Sequence, residues 1–222
     1  TAKGNVLISE DGRIATCGKA IYKQTEQSTS LIINPEIREN KQTISGRIID
    51  LKYNNGVLEN IYIPSGANVK TITQGFKKHQ KTSKNENNKL ILDFVNDLSG
   101  NSLKGFFDEG MLDSLQLEGM AKTHYHIFED SIYQGENIAS GDTIILQFYQ
   151  NDINKIIVHG GSRGEYKPDT VSSNIEGPIS YSSEIIKYNV NEEETDLHGD
   201  AKIHYTNMNL DAGFVNVNWV TN

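Results

Sequence analysis

The chain has 222 residues, and its 29 acidic and 21 basic side chains give a formal net charge of −8. Proteins that bind nucleic acid normally carry a basic surplus, so this balance argues against DNA or RNA as a partner. The single cysteine, Cys17, excludes an intrachain disulfide and a cysteine-rich zinc site.

A degenerate repeat around residues 11–20 is followed by a hairpin-sized unit that occurs at 45–67, 99–121 and 140–162 without gaps. Within each unit, apolar residues alternate with polar ones, which is typical of a half-buried strand. Turn sequences such as that at 54–56 supply the positive φ that a hairpin reversal requires. Each unit is therefore predicted to be a strand, a tight turn and a second strand.

The stretch between the first two full units, residues 68–90, is rich in lysine and breaks the pattern. We predict that it is a solvated excursion between repeats. A basic patch for an anionic partner, such as a phosphorylated glycolipid, is the alternative. A fourth copy is predicted at 184–201, and a fifth begins at Ala212 and stops at Trp219.

The repeats predict an all-β protein, because one hairpin cannot bury its apolar face alone whereas stacked hairpins can. We predict repeated antiparallel hairpins that form an open β-jelly-roll, or folded-sheet solenoid, in a single domain over 1–222. Small inward residues at 119–121 and 199–201 predict a bend in the strands. A right-handed β-helix is the structural alternative. No run of about 18 apolar residues occurs, so we predict no transmembrane segment.

One sequence pattern suggests a metal site and another suggests a hydrolase active site, and we predict that neither site exists. His124 and His126 lie two residues apart as a metal pair would, but both fall on the outward phase with no carboxylate fixed near them. Residues 160–164 match the G-x-S-x-G motif of hydrolases, but no helix follows as the motif requires. We therefore predict no catalytic residue, no metal site, no cofactor and no enzymatic activity.

The inward-facing apolar positions remain as the candidate binding surface. Most of them are expected to pack as core, but a partly open fold would leave a groove between its sheets. Such a groove would shelter acyl chains, at about 0.8 kcal/mol per buried methylene. The candidate positions are Ile49, Leu51, Tyr53, Ile61, Ile63, Phe107, Leu115, Leu117, Ile144, Leu146, Phe148, Ile156, Val158, Ile186, Tyr188, Ile203, Tyr205, Val215, Val217 and Trp219.

Short motifs in the same units resemble the OstA-type domain found in the lipopolysaccharide transport proteins LptA and LptD (in its N-terminal part). The resemblance extends roughly over residues 4–222 and rests on the order of the motifs. Arg47 departs from the family, which usually places Asp there, as Asp142 does in the third unit; we predict that this position is outward and solvated. The motifs are Asn34-Pro35-Glu36-Ile37, Gln42-Thr43-Ile44-Ser45-Gly46, Ile49-x-Leu51, the run 117–125, the run 140–144, Ile203-His204-Tyr205 and Leu210-Asp211-Ala212.

The resemblance implies a periplasmic module of a Gram-negative bacterium, associated with assembly of the outer membrane. It implies that lipid A of lipopolysaccharide binds along the apolar interior, with sugars and phosphates outside. It also implies end-to-end pairing of edge strands with other OstA-type modules. The sequence stops within a unit, so we expect either a longer natural chain, of which this is a fragment, or a docking edge. The alternatives are a structural or adhesive surface domain with a closed core, and a carbohydrate-active enzyme on a β-helix.

Overall fold

The computed structural model describes residues 1–10, 12–78, 90–150, 152–190, 192 and 194–218. This described part contains sixteen β-strands and no helix, so no helix in it is long and apolar enough to cross a membrane. The strands are β1 Ala2–Glu10, β2 Arg13–Lys23, β3 Ser28–Ile32, β4 Glu36–Glu39, β5 Gln42–Ser45, β6 Ile48–Asn54, β7 Val57–Ile63, β8 Ala67–Lys77, β9 Leu90–Gly100, β10 Ser102–Asp108, β11 Met111–Glu129, β12 Ile132–Tyr149, β13 Asp152–Pro168, β14 Ile179–Asn189, β15 Glu194–Tyr205 and β16 Met208–Asn218.

One sheet contains all these strands, and it is folded across its middle into two layers. The long strands β11 to β15 run through both layers, and the register of each with the next strand shifts near its centre. We call this line of shifts the crease. The shifts lie at 118–121 in β11, 140–143 in β12, 159–162 in β13, 182–185 in β14 and 198–201 in β15.

Short strands form the two layers in the first half of the chain. The first layer contains β3, β6, β7 and β10, and the second contains β4, β5, β8 and β9. Strand β2 spans both, since Lys19–Lys23 pairs with β3 whereas Arg13–Thr16 pairs with β4. Strand β11 joins them again, because its first half pairs with β10 and its second half with β9.

Glycines of the repeat mark the crease. A Cβ atom on Gly141 would lie 2.7 Å from the carbonyl oxygen of His159 and from Cγ1 of Val158. Gly119 and Met120 both have positive φ, 74° and 51°, at the equivalent place in β11. Only a residue without a side chain permits such a close approach, and paired positive φ values turn the strand. The bend predicted from the small inward residues is therefore confirmed.

The hydrophobic core lies between the layers beside the crease, and both layers contribute to one contiguous cluster. Ile49, Leu117 and Ile144 have no exposed surface at all. Apart from a single parallel bridge between β8 and β12, neighbouring strands are antiparallel throughout the described residues. The predicted all-β folded sheet is thus confirmed, and the β-helix alternative is wrong because its strands would be parallel.

The prediction of a solvated excursion at 68–90 is wrong for residues 68–77. These residues lie in β8, which pairs with β9 along its whole length. Val69 is buried in the core, whereas the neighbouring Lys70 is exposed on the outer face. The inward positions after Val69 are Thr71, Thr73 and Gly75, and the apolar Ile72 faces outward, so the alternation of an ordinary strand was hidden in the sequence. Residues 79–89, which contain the rest of the predicted excursion, lie outside the described residues.

Candidate functional site

The structure divides the predicted apolar column into two parts that differ in depth. The part beside the crease is fully enclosed between the layers and is core, as expected for most positions. Its members are Ile49, Leu51, Ile61, Ile63, Leu115, Leu117, Ile144, Leu146, Ile156, Val158 and Ile186. The enclosed part leaves no surface for a ligand without separation of the layers.

The second part of the column is half-buried and lies at the outer ends of the first layer's strands, beside the hairpin turns. We call this surface the mouth; it consists of Tyr53, Phe107, Phe148, Tyr188, Val215 and Val217. All but Val217 pack on the core cluster from outside. Trp219, the last predicted member, lies outside the described residues. The mouth is therefore the part of the column on the first layer that a ligand can reach.

The second layer faces the mouth with tyrosines and one arginine. The guanidinium of Arg13 lies 5.9 Å from the ring centroid of Phe107. Burial raises the pKa of Tyr125 well above its ordinary value, and Tyr181 and Tyr188 add to the effect from the two layers. Burial also raises the pKa of Tyr181 to about 12. These phenols stay neutral at physiological pH, so the interior beside the mouth carries apolar rings with polar tips.

Ile203 and Tyr205, two further predicted positions, are half-buried on the second layer. The hydroxyl of Tyr181 lies 2.8 Å from Nδ2 and 3.0 Å from Oδ1 of the buried Asn137. This pairing keeps a polar group hydrogen-bonded inside the fold. Asn137 and Tyr181 thus form a hydrogen-bonded polar pair on the inner side of the second layer.

A cleft of about 600 Å³ continues the mouth at the β1 end of the fold. Tyr53 belongs to both, and the cleft is otherwise polar apart from Ile8 and Tyr22. Its lining includes Ile8, Glu10, Tyr22, Gln27, Thr29 and Tyr53.

Ser162, the central residue of the G-x-S-x-G match, is completely buried at the crease. Its hydroxyl donates to backbone carbonyl oxygens, at 2.9 Å to Val158 and 3.1 Å to Glu184. A nucleophilic serine needs an accessible hydroxyl beside a general base. Ser162 instead links β13 to β14, and the motif marks a bend in a strand.

His124 and His126 lie on the outer face of the second layer, as predicted, and the register of β11 with β12 brings beside them a carboxylate that the sequence alone did not fix there. The Nε2 atom of His124 is 2.8 Å from Oε2 of Glu136. The turn between β11 and β12, where Asp130 and Ser131 both have positive φ, would by itself pair His126 with Gly135. A register shift between Ile127 and Phe128 moves the pairing by one residue and places Glu136 opposite His126, and the alternation of the sequence does not indicate this shift.

The surroundings of His126 differ from those of an exposed histidine. Its backbone N–H donates to Oδ1 of Asn96 at 2.9 Å, and its Nδ1 lies 3.1 Å from the same oxygen. The rings of Phe94 and Tyr133 lie 5.1 and 5.8 Å from its ring centroid. Burial lowers the pKa of His126, as does His124, whereas Glu136 acts in the opposite direction.

No protein-family model matches the chain, and neither does any curated protein sequence. Among solved structures, the chain is similar to LptH from Pseudomonas aeruginosa, the LptA-homologous periplasmic component of the lipopolysaccharide transport device. The TM-score is 0.44 at 13% sequence identity, and the match covers 67% of this chain and 82% of that chain.

Proposed function

We propose that this chain is a non-enzymatic, periplasmic module that binds and passes on lipopolysaccharide during assembly of the outer membrane. The observation that carries the proposal is the mouth, a half-buried apolar surface at the open ends of the strands that is continuous with the closed core. A contiguous apolar surface that a monomer leaves exposed to solvent is typical of a binding site. The OstA-type motifs of the sequence support the same reading.

The mouth is the part of the interior where acyl chains of lipid A would bind. Burial of each methylene contributes about 0.8 kcal/mol, so a few chains supply ample binding free energy. Because the column beside the crease is closed, the chains would contact Tyr53, Phe107, Phe148, Tyr188 and Val217 rather than the whole column. Sugars and phosphates would remain in water outside the layers.

The edge strands support end-to-end assembly with other OstA-type modules. Within the described residues, β16 pairs only with β15, and β1 pairs only with β2. Both edges carry exposed apolar side chains, Leu7 on β1 at 67% and Phe214 on β16 at 52% exposure. An open edge offers unpaired backbone groups to another strand, and apolar side chains add affinity. A chain of such modules would extend the mouth from one protein to the next.

A structural or adhesive domain with a closed core is the second candidate, favoured by the complete burial of residues such as Leu117 and Ile144. The two candidates differ in what the mouth contacts. In a structural domain the mouth is only the partly exposed border of the core and binds no ligand. In a transport module it is the place where lipid touches protein.

Photo-crosslinking tests the proposal with neighbouring residues on opposite faces. A photoreactive phenylalanine analogue replaces Phe107 or Phe148 at the mouth, and Phe106 or Tyr149 as matched outward controls. The controls are aromatic, adjacent in sequence and 42% and 65% exposed. We expect the mouth positions to label lipopolysaccharide several-fold more strongly than the controls. Equal labelling at all four positions, in variants with unchanged circular dichroism, would remove the lipid-binding mechanism.

A further inference from the structure

A cluster of two histidines and one glutamate lies on the outer face of the second layer, apart from the mouth. One ligand atom each from His124, His126 and Glu136 lies within 4.8 Å of the others. The histidines are two residues apart on β11, so their side chains leave the same face of the strand. Glu136 lies on β12 directly opposite His126. Three metal-ligating side chains from one hairpin thus converge on one point.

We infer that His124, His126 and Glu136 form a binding site for a divalent transition metal, with Zn²⁺ the ion that the ligands suit best. Two imidazoles and one carboxylate are a frequent zinc ligand set. In a tetrahedral site with metal–ligand distances of about 2.0 Å, ligand atoms are about 3.3 Å apart. His124 Nε2 and Glu136 Oε2, at 2.8 Å, are already near that spacing. Small side-chain rotations would bring the third ligand atom into place.

Asn96 orients His126 for this role. Its Oδ1 accepts the backbone N–H of His126, so the amide oxygen faces the imidazole, and its Nδ2 donates to Oγ1 of Thr73 at 3.0 Å. An acceptor beside Nδ1 holds the proton there and leaves Nε2 bare for a metal. Zinc-bound histidines typically donate their other N–H to such an oxygen. Asn96 is therefore a positioning residue.

The neighbouring groups shield the ligand set from part of the solvent. Phe94 packs 5.1 Å from the ring of His126 and screens one side of the cluster from water. Lys167 is a competing cation beside the cluster, because its Nζ lies 3.9 Å from Oε1 of Glu136 and 3.4 Å from the carboxylate of Glu165. Lys167 contacts the oxygen of Glu136 that does not face His124, so Oε2 remains available. With three protein ligands, a tetrahedral zinc ion retains one position for water or an anionic oxygen.

Isothermal titration of the untagged, chelator-treated protein with ZnCl₂ tests the site. We expect one Zn²⁺ per chain, and a visible absorption band of tetrahedral Co²⁺ when cobalt replaces zinc. His124→Gln and Glu136→Gln should each weaken zinc binding at least tenfold. Asn96→Ala should weaken it about 10- to 100-fold and alter the cobalt spectrum, since it acts through His126.

His204→Ala is the matched control, because His204 is also an outward histidine and lies 2.7 Å from an asparagine oxygen, Oδ1 of Asn209. It should bind zinc as the wild type does. Zinc should also raise the melting temperature of the wild type and of His204→Ala, but not of Glu136→Gln. Absence of saturable binding, or wild-type affinity in Glu136→Gln, would show that His124 and Glu136 form only a surface hydrogen bond and would overturn the inference.

Discussion

The boundary between core and mouth predicts different costs for two substitutions on one face of β12. Ile144 has no exposed surface and lies beside the crease, whereas Phe148 is half-buried at the mouth. Truncation of a fully buried isoleucine to alanine costs about 2–5 kcal/mol, because transfer free energy is lost and a cavity remains. Phe148→Ala removes more atoms, but much of the ring is exposed to solvent, so its truncation leaves no closed cavity. We expect the free energy of unfolding to fall by about 3.5 kcal/mol for Ile144→Ala and by about 1.5 kcal/mol for Phe148→Ala.

Urea unfolding followed by circular dichroism measures both values, with Tyr149→Ala as the exposed baseline at about 0.5 kcal/mol or less. For a chain of this length, Ile144→Ala should lower the melting temperature by roughly 7–14 °C. The order should reverse in a binding assay, because only Phe148 would contact lipid. A loss of stability for Phe148→Ala as large as that for Ile144→Ala would mean that the mouth is packed like the core. The closed structural domain would then be the better description.

Three further substitutions, one of them a control, test the crease and the charge of the loop after β13. Gly141→Ala should cost about 1–3 kcal/mol, since its Cβ would press on the carbonyl oxygen of His159. Gly213→Ala, where a Cβ meets nothing within 4 Å, should be neutral or slightly stabilising in the same unfolding assay. Similar effects of the two alanines would contradict the role of the crease. Burial acts to raise the pKa of Asp169, but hydrogen bonds from the Ser172 hydroxyl and from backbone amides, with the ammonium of Lys77, leave it below its ordinary value of 3.8. The stability that ionised Asp169 contributes is therefore complete above its unfolded pKa and is lost as pH falls through the lower folded pKa. The melting temperatures of wild type and Asp169→Asn should converge between about pH 6 and about pH 2.5, and a constant difference would contradict this linkage.

Metal binding and lipid binding are predicted on different surfaces, so the two proposals are independent. The histidine cluster lies on the outer face of the second layer, and the mouth lies between the layers at the ends of the first. Glu136→Gln should leave labelling of lipopolysaccharide from Phe148 unchanged. Substitution of Phe148 should equally leave the zinc stoichiometry unchanged.

The alternation of apolar and polar residues was enough to assign the strands of the repeated units and their faces, and the small residues at 119–121 and 199–201 indicated the bend of the sheet. Side chains of a strand leave opposite faces in turn, so period two reports directly which residues point inward. At the crease itself, only glycine fits where strands approach as closely as they do at Gly141. His124 and His126 were placed on the outer face by the same rule. These features depend on neighbours along one strand.

Only the tertiary structure decided how deeply each residue is buried and which residues of adjacent strands lie beside it. Ile144 and Phe148 share one phase of alternation, and only the folding of the sheet makes one of them core and the other mouth. Glu136 comes beside His124 through the register of β11 with β12, which periodicity within a single strand does not define. The strand at 68–77 was missed because its inward side carries Thr71, Thr73 and Gly75 after Val69, and the burial of that side comes from strands distant in sequence. Periodicity is a property of one segment, whereas burial and proximity are produced by segments that meet only in the folded chain.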